Sequence, residues 1–247
     1  MFLCHFVSFG PKPDPVDMKI CKTLCLIALG LCGFPNTVNA QDWPELAHFQ
    51  KANTSVSPPA AEENRVVFMG NSITIGWLKT QPEFFEGKPY INRGISGQTT
   101  PQMLLRFRQD VIDLHPGVVV ILAGTNDIAG NTGPMTLKQI MDNLSSMVEI
   151  ARANHIAVVL SSVLPAEDYP WRPGLKPNEK IPALNAMIRE YCKNSDAVYL
   201  DYFSAMTNAK NGLDKDLAHD GVHPTKKGYE MMAPLAEAAI AKALASH

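Results

Sequence analysis

The sequence predicts an α/β fold in three layers, an α/β/α sandwich with an open, five-stranded parallel sheet between helices. Two observations carry this. Five short apolar runs rich in Val and Ile recur along the chain, several of them continuous rather than alternating, as strands buried on both faces require. Between them lie longer segments whose apolar residues repeat with the helical period. Strands that alternate with helices of this length pair in parallel through right-handed crossovers.

The elements follow in order. Residues 41–64 are mostly polar and broken by Ser57-Pro58-Pro59, which predicts a short lead-in helix at 45–51 and then a linker. The domain proper spans 65–247, with strands expected at 65–69, 90–92, 117–123, 156–162 and 197–201. A helix is expected after Ser72, with Trp77 in the core, and another carries Met103, Phe107 and Val111. Leu137, Ile140, Leu144, Met147 and Ala151 mark the next, and Ile181, Leu184, Ile188 and Tyr191 the one after. A final helix runs through 225–246, with Tyr229, Met232, Ala236, Ala239 and Ala243 along one side. No internal repeat is read in the sequence, and a single domain is expected.

The N-terminus reads as a leader. Met18 opens a segment with Lys19 and Lys22 and an apolar run at 24–34, so residues 18–40 are expected to be a secretory signal cleaved after Ala40. The run is shorter than the roughly 20 residues that span a bilayer. Cys32 follows Leu31, where a lipoprotein signal carries a small residue, so cleavage is favoured over lipid anchoring. Residues 1–17 read as an upstream extension. Of five cysteines, Cys4, Cys21, Cys25 and Cys32 fall in the removed segment, leaving Cys192 as a small buried hydrophobe. The expected location is secreted or periplasmic, with no stable membrane insertion once the signal is gone. The formal net charge of -2, without any block of Lys and Arg, excludes the electrostatic footprint of a nucleic-acid binder.

In open parallel sheets, ligands bind beyond the carboxyl ends of the strands, and four loops there carry polar blocks. They are Gly70-Asn71-Ser72-Ile73-Thr74, Gly94-Ile95-Ser96-Gly97-Gln98-Thr99-Thr100, Gly124-Thr125-Asn126-Asp127 and Asp220-Gly221-Val222-His223-Pro224. In this order and spacing they resemble the four blocks of the SGNH (GDSL-like) hydrolases. Within that family they are most similar to the branch near platelet-activating-factor acetylhydrolases and bacterial carbohydrate acetylesterases. The resemblance implies a flavodoxin-like sandwich and hydrolysis of esters or thioesters. One departure is Asn71, where the family name has Asp.

The chemistry of these residue types is independent of the resemblance. A serine hydroxyl becomes a useful nucleophile when an imidazole takes its proton, and a carboxylate on the other ring nitrogen holds the needed tautomer. Ser72, His223 and Asp220 suit these roles, with a turn through Gly221 bringing carboxylate to imidazole. The oxyanion is expected to be received by the backbone N–H groups of Ser72 and Gly97 and the side-chain amide of Asn126, Gly97 because a missing side chain permits close approach. No cofactor is required. The expected substrate is a small-molecule or glycan ester, with acetyl esters of carbohydrates foremost. Lysophospholipase or thioesterase activity is the alternative within enzymes, and a catalytically inactive glycan-binding module the alternative outside them.

Other residues invite competing readings. Asp214, Asp216, His219, Asp220 and His223 are metal-ligating types, but Gly221 and Pro224 argue against one helical face there, and the expected metal content is none. His48, His115 and His155 fall in the lead-in or at element ends, where surface or capping roles suffice. Asp127 is expected to brace its own loop. Asn71 either caps the next helix or contacts substrate beside Ser72. Tyr169, Trp171 and Arg172, on a Pro-rich loop after the fourth strand, either form a platform for sugar or acyl group or anchor the loop by packing.

Overall fold

In the computed structural model, which describes residues 41–246, the five apolar runs become β1 (Val66–Gly70), β2 (Tyr90–Gly94), β3 (Val118–Leu122), β4 (Ala157–Ser161) and β5 (Val198–Leu200). The expected leader, the upstream extension and the first four cysteines lie outside the described residues. The strands form one parallel sheet in the order β2-β1-β3-β4-β5, the doubly wound order of a flavodoxin-like sandwich. The expected strand limits differ by one or two residues at most ends. A continuous apolar run marks the buried stretch, whereas ladder hydrogen bonds mark the strand.

The helices are α1 (Gln50–Thr54), α2 (Ser72–Thr80), α3 (Thr100–Asp110), α4 (Thr125–Ile128), α5 (Leu137–Ala153), α6 (Pro177–Lys193), α7 (Tyr202–Met206) and α8 (Lys226–Ala245). Every residue of β1 and β3 is buried, and alternate residues feed two separate cores. Val67, Met69, Val119 and Ile121 pack in one core with apolar residues of α3, α5 and α6. Val66, Phe68, Val118 and Val120 pack in the other with apolar residues of α2 and α8. This two-sided burial is why the strands read as continuous apolar stretches. Trp77 stacks between Phe84 and Tyr229 at 4.3 and 5.6 Å between ring centroids. The Tyr229 hydroxyl then donates to the Ile73 carbonyl at 2.8 Å, tying α8 to the first turn of α2. Cys192 is buried, and burial pushes its thiol up to about 11.

The lead-in departs from expectation. The helix lies at Gln50–Thr54 rather than 45–51, and residues 43–44 and 46–49 form turns, with Glu45 between them at φ +56°. Three glutamine side chains account for the difference. Gln102, Gln98 and Gln109 donate from Nε2 to the carbonyls of Trp43, Pro44 and Leu46, at 2.7, 2.9 and 2.6 Å. Those carbonyls are thereby diverted from helical bonding. The segment is a strap docked along α3, held also by Asn53, whose Nδ2 donates to Gln109 O and Asp110 Oδ1. The stretch expected as a linker is tied down too, with Ser57 O accepting from Arg65 Nη2 at 2.9 Å.

Beneath the strap lies Arg106 of α3, completely buried with Asp110. Its Nη1 donates to Asp110 Oδ2 at 2.9 Å, Nε to Gln98 Oε1 at 2.6 Å, and Nη2 to the carbonyls of Gly70 and Arg93 at 3.1 and 2.9 Å. One guanidinium thus joins the carboxyl ends of β1 and β2 to the loop after β2. Arg106→Ala is expected to lower the unfolding free energy by about 3–5 kcal/mol, because Asp110 remains as an uncompensated buried charge. Urea denaturation checks this, and Arg106→Met combined with Asp110→Leu should cost less than the single change.

Candidate active site

The chain leaves β1 for β2 on one side and returns to β3 on the other, so the topological switch point lies between β1 and β3, where doubly wound sheets bind their ligands. Ser72 follows β1 and Asn126 follows β3, so the two flank this crevice. Ser72 is half-buried at the start of α2. As the first helical residue it has an N–H without an intrahelical acceptor. The loop after β2, carrying Gly97, reaches the same edge.

His223 arrives on a loop from the far end of the sequence. Ala218 and Pro224 form an antiparallel bridge, His219 N donates to His223 O at 2.9 Å, and Thr225 caps α8 through the Gly228 N–H. This short hairpin, anchored on a long helix, places His223 Nε2 2.9 Å from Ser72 Oγ. His223 Nδ1 lies 2.8 Å from Asp220 Oδ2, while Asp220 Oδ1 accepts from the backbone N–H groups of His223 and Val222 at 2.8 and 3.0 Å. Gly221, at φ +83°, makes the turn that returns the chain to its own carboxylate. Partial burial opposes the charge on Asp220. Its backbone and ring hydrogen bonds to His223 and its bond from Val222 outweigh that and hold the carboxyl below the usual range. An ionised carboxylate only accepts, so Nδ1 carries the ring hydrogen and Nε2 is left to accept from Ser72. The structure brings all three residues into one hydrogen-bonded chain.

The other expected oxyanion donors lie on the segments that follow β2 and β3. Gly97 has φ +79°, and a Cβ there would meet nothing within 4 Å. Backbone conformation by itself therefore calls for glycine at this position. Asn126 is buried, and its Nδ2 donates to Gln98 O at 2.9 Å. An amide nitrogen carries two hydrogens, so one remains for another acceptor. Asn131, which the sequence reading passed over, donates to Gly97 O at 3.1 Å and secures the other half of the loop.

Several expectations are corrected. Asn71 is buried and its Oδ1 accepts from Ile73 N at 3.0 Å, which makes it the cap of α2 rather than a substrate contact. Asp127 braces more than its own loop: beside a bond to its own backbone N–H, its Oδ1 accepts from the Thr100 N–H and hydroxyl at 2.8 and 2.6 Å, securing the start of α3. Burial raises its pKa, and Oδ2 has no partner. Tyr169 is fully buried with its hydroxyl 2.9 Å from Thr125 Oγ1, so it supports the platform rather than forming it. Trp171 stacks on Tyr169 at 5.1 Å and stands 6.0 Å from the His223 ring, within the site itself. Arg172 Nη1 donates to the carbonyls of Ala129 and Gly130 at 3.1 and 2.7 Å, fastening the loop beyond Asn126. The acidic residues near His223 are separately engaged: Asp216 pairs with Lys227, and Asp214 accepts from Asn208 at 3.1 Å. His219 is exposed.

Comparison with known proteins identifies the family. Residues 68–231 match the GDSL-like lipase/acylhydrolase family. A GDSL-like lipase from Bacteroides thetaiotaomicron VPI-5482 is 46% identical, with a TM-score of 0.79, covering 81% of this chain and 98% of that one. The acetylxylan esterase Axe2 from Geobacillus stearothermophilus, at 20% identity and a TM-score of 0.57 over 72% of this chain and 94% of its own, shares the fold. The uncharacterized lipoprotein YqeF of Bacillus subtilis (strain 168) is 40% identical over 78 residues, 30% of this chain. The match spans about a third of that relative's length, 32%. The chain belongs to the GDSL-like lipase/acylhydrolase family and is a carboxylic ester hydrolase.

Because the folded pKa of Asp220 is depressed, its contribution to stability is present above the unfolded carboxylate value of about 3.9 and disappears as pH falls through the folded value. The melting-temperature gap between wild type and Asp220→Asn is therefore expected to be open at pH 6 and to close towards pH 2. Thermal denaturation across that range measures it, and a constant gap would contradict the assignment.

Proposed function

We propose that this ester hydrolase is a serine esterase acting outside the cytoplasm, which removes short acyl groups, acetate above all, from carbohydrates through an acyl-enzyme. The observation that supports the mechanism best is the chain of hydrogen bonds from Ser72 Oγ through the His223 ring to Asp220, at 2.9 and 2.8 Å.

In this mechanism Ser72 Oγ attacks the ester carbonyl carbon while its proton passes to His223 Nε2, and Asp220 stabilises the resulting imidazolium. The tetrahedral oxyanion is met by the N–H groups of Ser72 and Gly97 and the second hydrogen of Asn126 Nδ2. Collapse breaks the bond to the alcohol, which leaves with the proton from His223. A water then attacks the acyl-enzyme, gives its proton to the same nitrogen, and the carboxylic acid departs as Ser72 is restored. No step needs a cofactor.

The location rests on the leader expected at residues 18–40, and a relative named as a lipoprotein is compatible with it. Among the described residues, no helix is long and apolar enough to cross a membrane. The substrate class is supported by the exposed Trp171 ring beside His223, since aromatic faces stack on sugar rings, and by the acetylxylan esterase that shares the fold.

Ser72→Ala is expected to lower turnover by about 10⁴ to 10⁶ with the fold retained, and a fluorophosphonate should label Ser72 alone, as located by mass spectrometry. Near wild-type turnover in the variant would overturn the mechanism. Asn126→Ala should cost about 10² to 10³ in kcat. Acetyl, butyryl and octanoyl esters compared side by side test the acyl group, and a strong octanoyl preference would favour the lysophospholipase or thioesterase reading.

A further inference from the structure

A cleft of about 460 Å³ opens beside the loop carrying Gly97. Its lining combines Trp43 of the strap, Trp171 of the loop after β4, and polar groups from Gln98, Asn131, Thr132 and Arg172. Trp43 and Trp171 are 41% and 40% exposed, two of the few large apolar side chains left exposed among the described residues. Two indole rings held open to solvent in one cleft cost hydrophobic free energy that burial would recover, so their positions point to a ligand with faces to cover them.

That ligand is constrained by what surrounds the rings. An aliphatic tail would need an apolar wall, whereas the lining besides the two indoles and Gly97 is polar, Glu45, Ser96, Asn131, Thr132 and Arg172 among it. A pyranose ring suits both features, since its C–H faces stack on aromatic rings while its hydroxyls bond to the polar groups of the lining. The walls are rigid where they need to be. The Trp43 carbonyl is gripped by Gln102 and the next by Gln98, and the Trp171 loop is fastened by Tyr169 and by Arg172 Nη1. Gln98 also accepts from Asn126 through its backbone and from Arg106 through its side chain, so the strap and the oxyanion loop share one residue.

We infer that Trp43 and Trp171 form the subsite for the sugar that carries the ester, and that the N-terminal strap is a specificity element of the enzyme. This rests on the reading of the protein as a glycan deacetylase. Trp171 also adjoins His223, so its removal would disturb hydrolysis of any ester. Trp43 isolates the sugar contact, because the hydrogen bonds that fasten the strap come from its carbonyls and from Asn53 and do not use the indole.

The test compares wild type, Trp43→Ala and Trp43→Phe on acetylated xylo-oligosaccharides, with wild type also assayed on ethyl acetate, whose alcohol presents no ring to stack. Trp43→Ala should raise KM for the oligosaccharides about tenfold or more and change kcat less than about twofold, and Trp43→Phe should recover most of the loss. Calorimetric titration of the oligosaccharides into Ser72→Ala should show binding that weakens by a similar factor when Trp43→Ala is added. An unchanged KM in Trp43→Ala, or a loss of kcat that Phe does not recover, would overturn the subsite while leaving the deacetylase reading intact. A wild-type enzyme that hydrolyses ethyl acetate but releases no acetate from the oligosaccharides would overturn the deacetylase reading, and the subsite with it.

Discussion

The guanidinium of Arg106 occupies the point at which the parts of the site must agree in position. Parallel pairing aligns Gly70 with Gly94 and Leu122, so β1, β2 and β3 end at one level. Buried carbonyls at such ends have lone pairs to spare for side-chain donors, that of Gly70 while also accepting from Ile95 N at 3.1 Å. Arg106 supplies them to Gly70 and Arg93 and holds the Gln98 side chain. Its own charge is balanced by Asp110, which Asn53 of the strap also contacts. A buried ion pair gains little stability over well-packed apolar residues. Its value here lies in geometry, because five donors in a rigid plane can register several backbone segments at once.

From that frame, polar work is divided between groups that position and groups available to react. Asn71, Asp127, Asn131 and Thr225 each spend hydrogen bonds on holding other segments: the cap of α2, the start of α3, the Gly97 carbonyl and the start of α8. Ser72 and His223 remain half-buried and Gly97 exposed. Asn126 belongs to both groups, with one hydrogen on Gln98 and another left over. This pattern is what electrostatic preorganisation requires, since a donor that must reorient during reaction stabilises charge less effectively.

The strap extends the same frame outward. Gln102 and Gln109 are seven residues apart on α3, hence on one face, and both take carbonyls of the segment running over that face. Arg93, sandwiched nearby, lies over the Phe49 ring at 4.8 Å and donates to Asn53 Oδ1. Residues ahead of the first strand therefore line the cleft beside Gly97. A polar, proline-broken composition describes only their local preference, which the glutamines override.

How much of this was legible beforehand divides along the range of the forces involved. The sequence by itself determined the layers, the parallel sheet and the strand-end location of the functional blocks. Hydrophobic period is local, and a strand buried on both faces must show it in its own residues. It also carried the Asp220 to His223 pairing, three residues apart and closed by Gly221. Only the tertiary structure decided that Asn71 caps rather than binds, that Tyr169 is buried beneath Trp171, and that Asp127 serves α3. Each depends on which of several available partners lies within 3 Å. The strap and Arg106 were invisible for the same reason: a glutamine or arginine in a helix reads as a solvated residue until the fold brings an unpaired carbonyl to it. Periodicity encodes burial, whereas hydrogen-bond partners at large sequence separation are set only once the chain has packed.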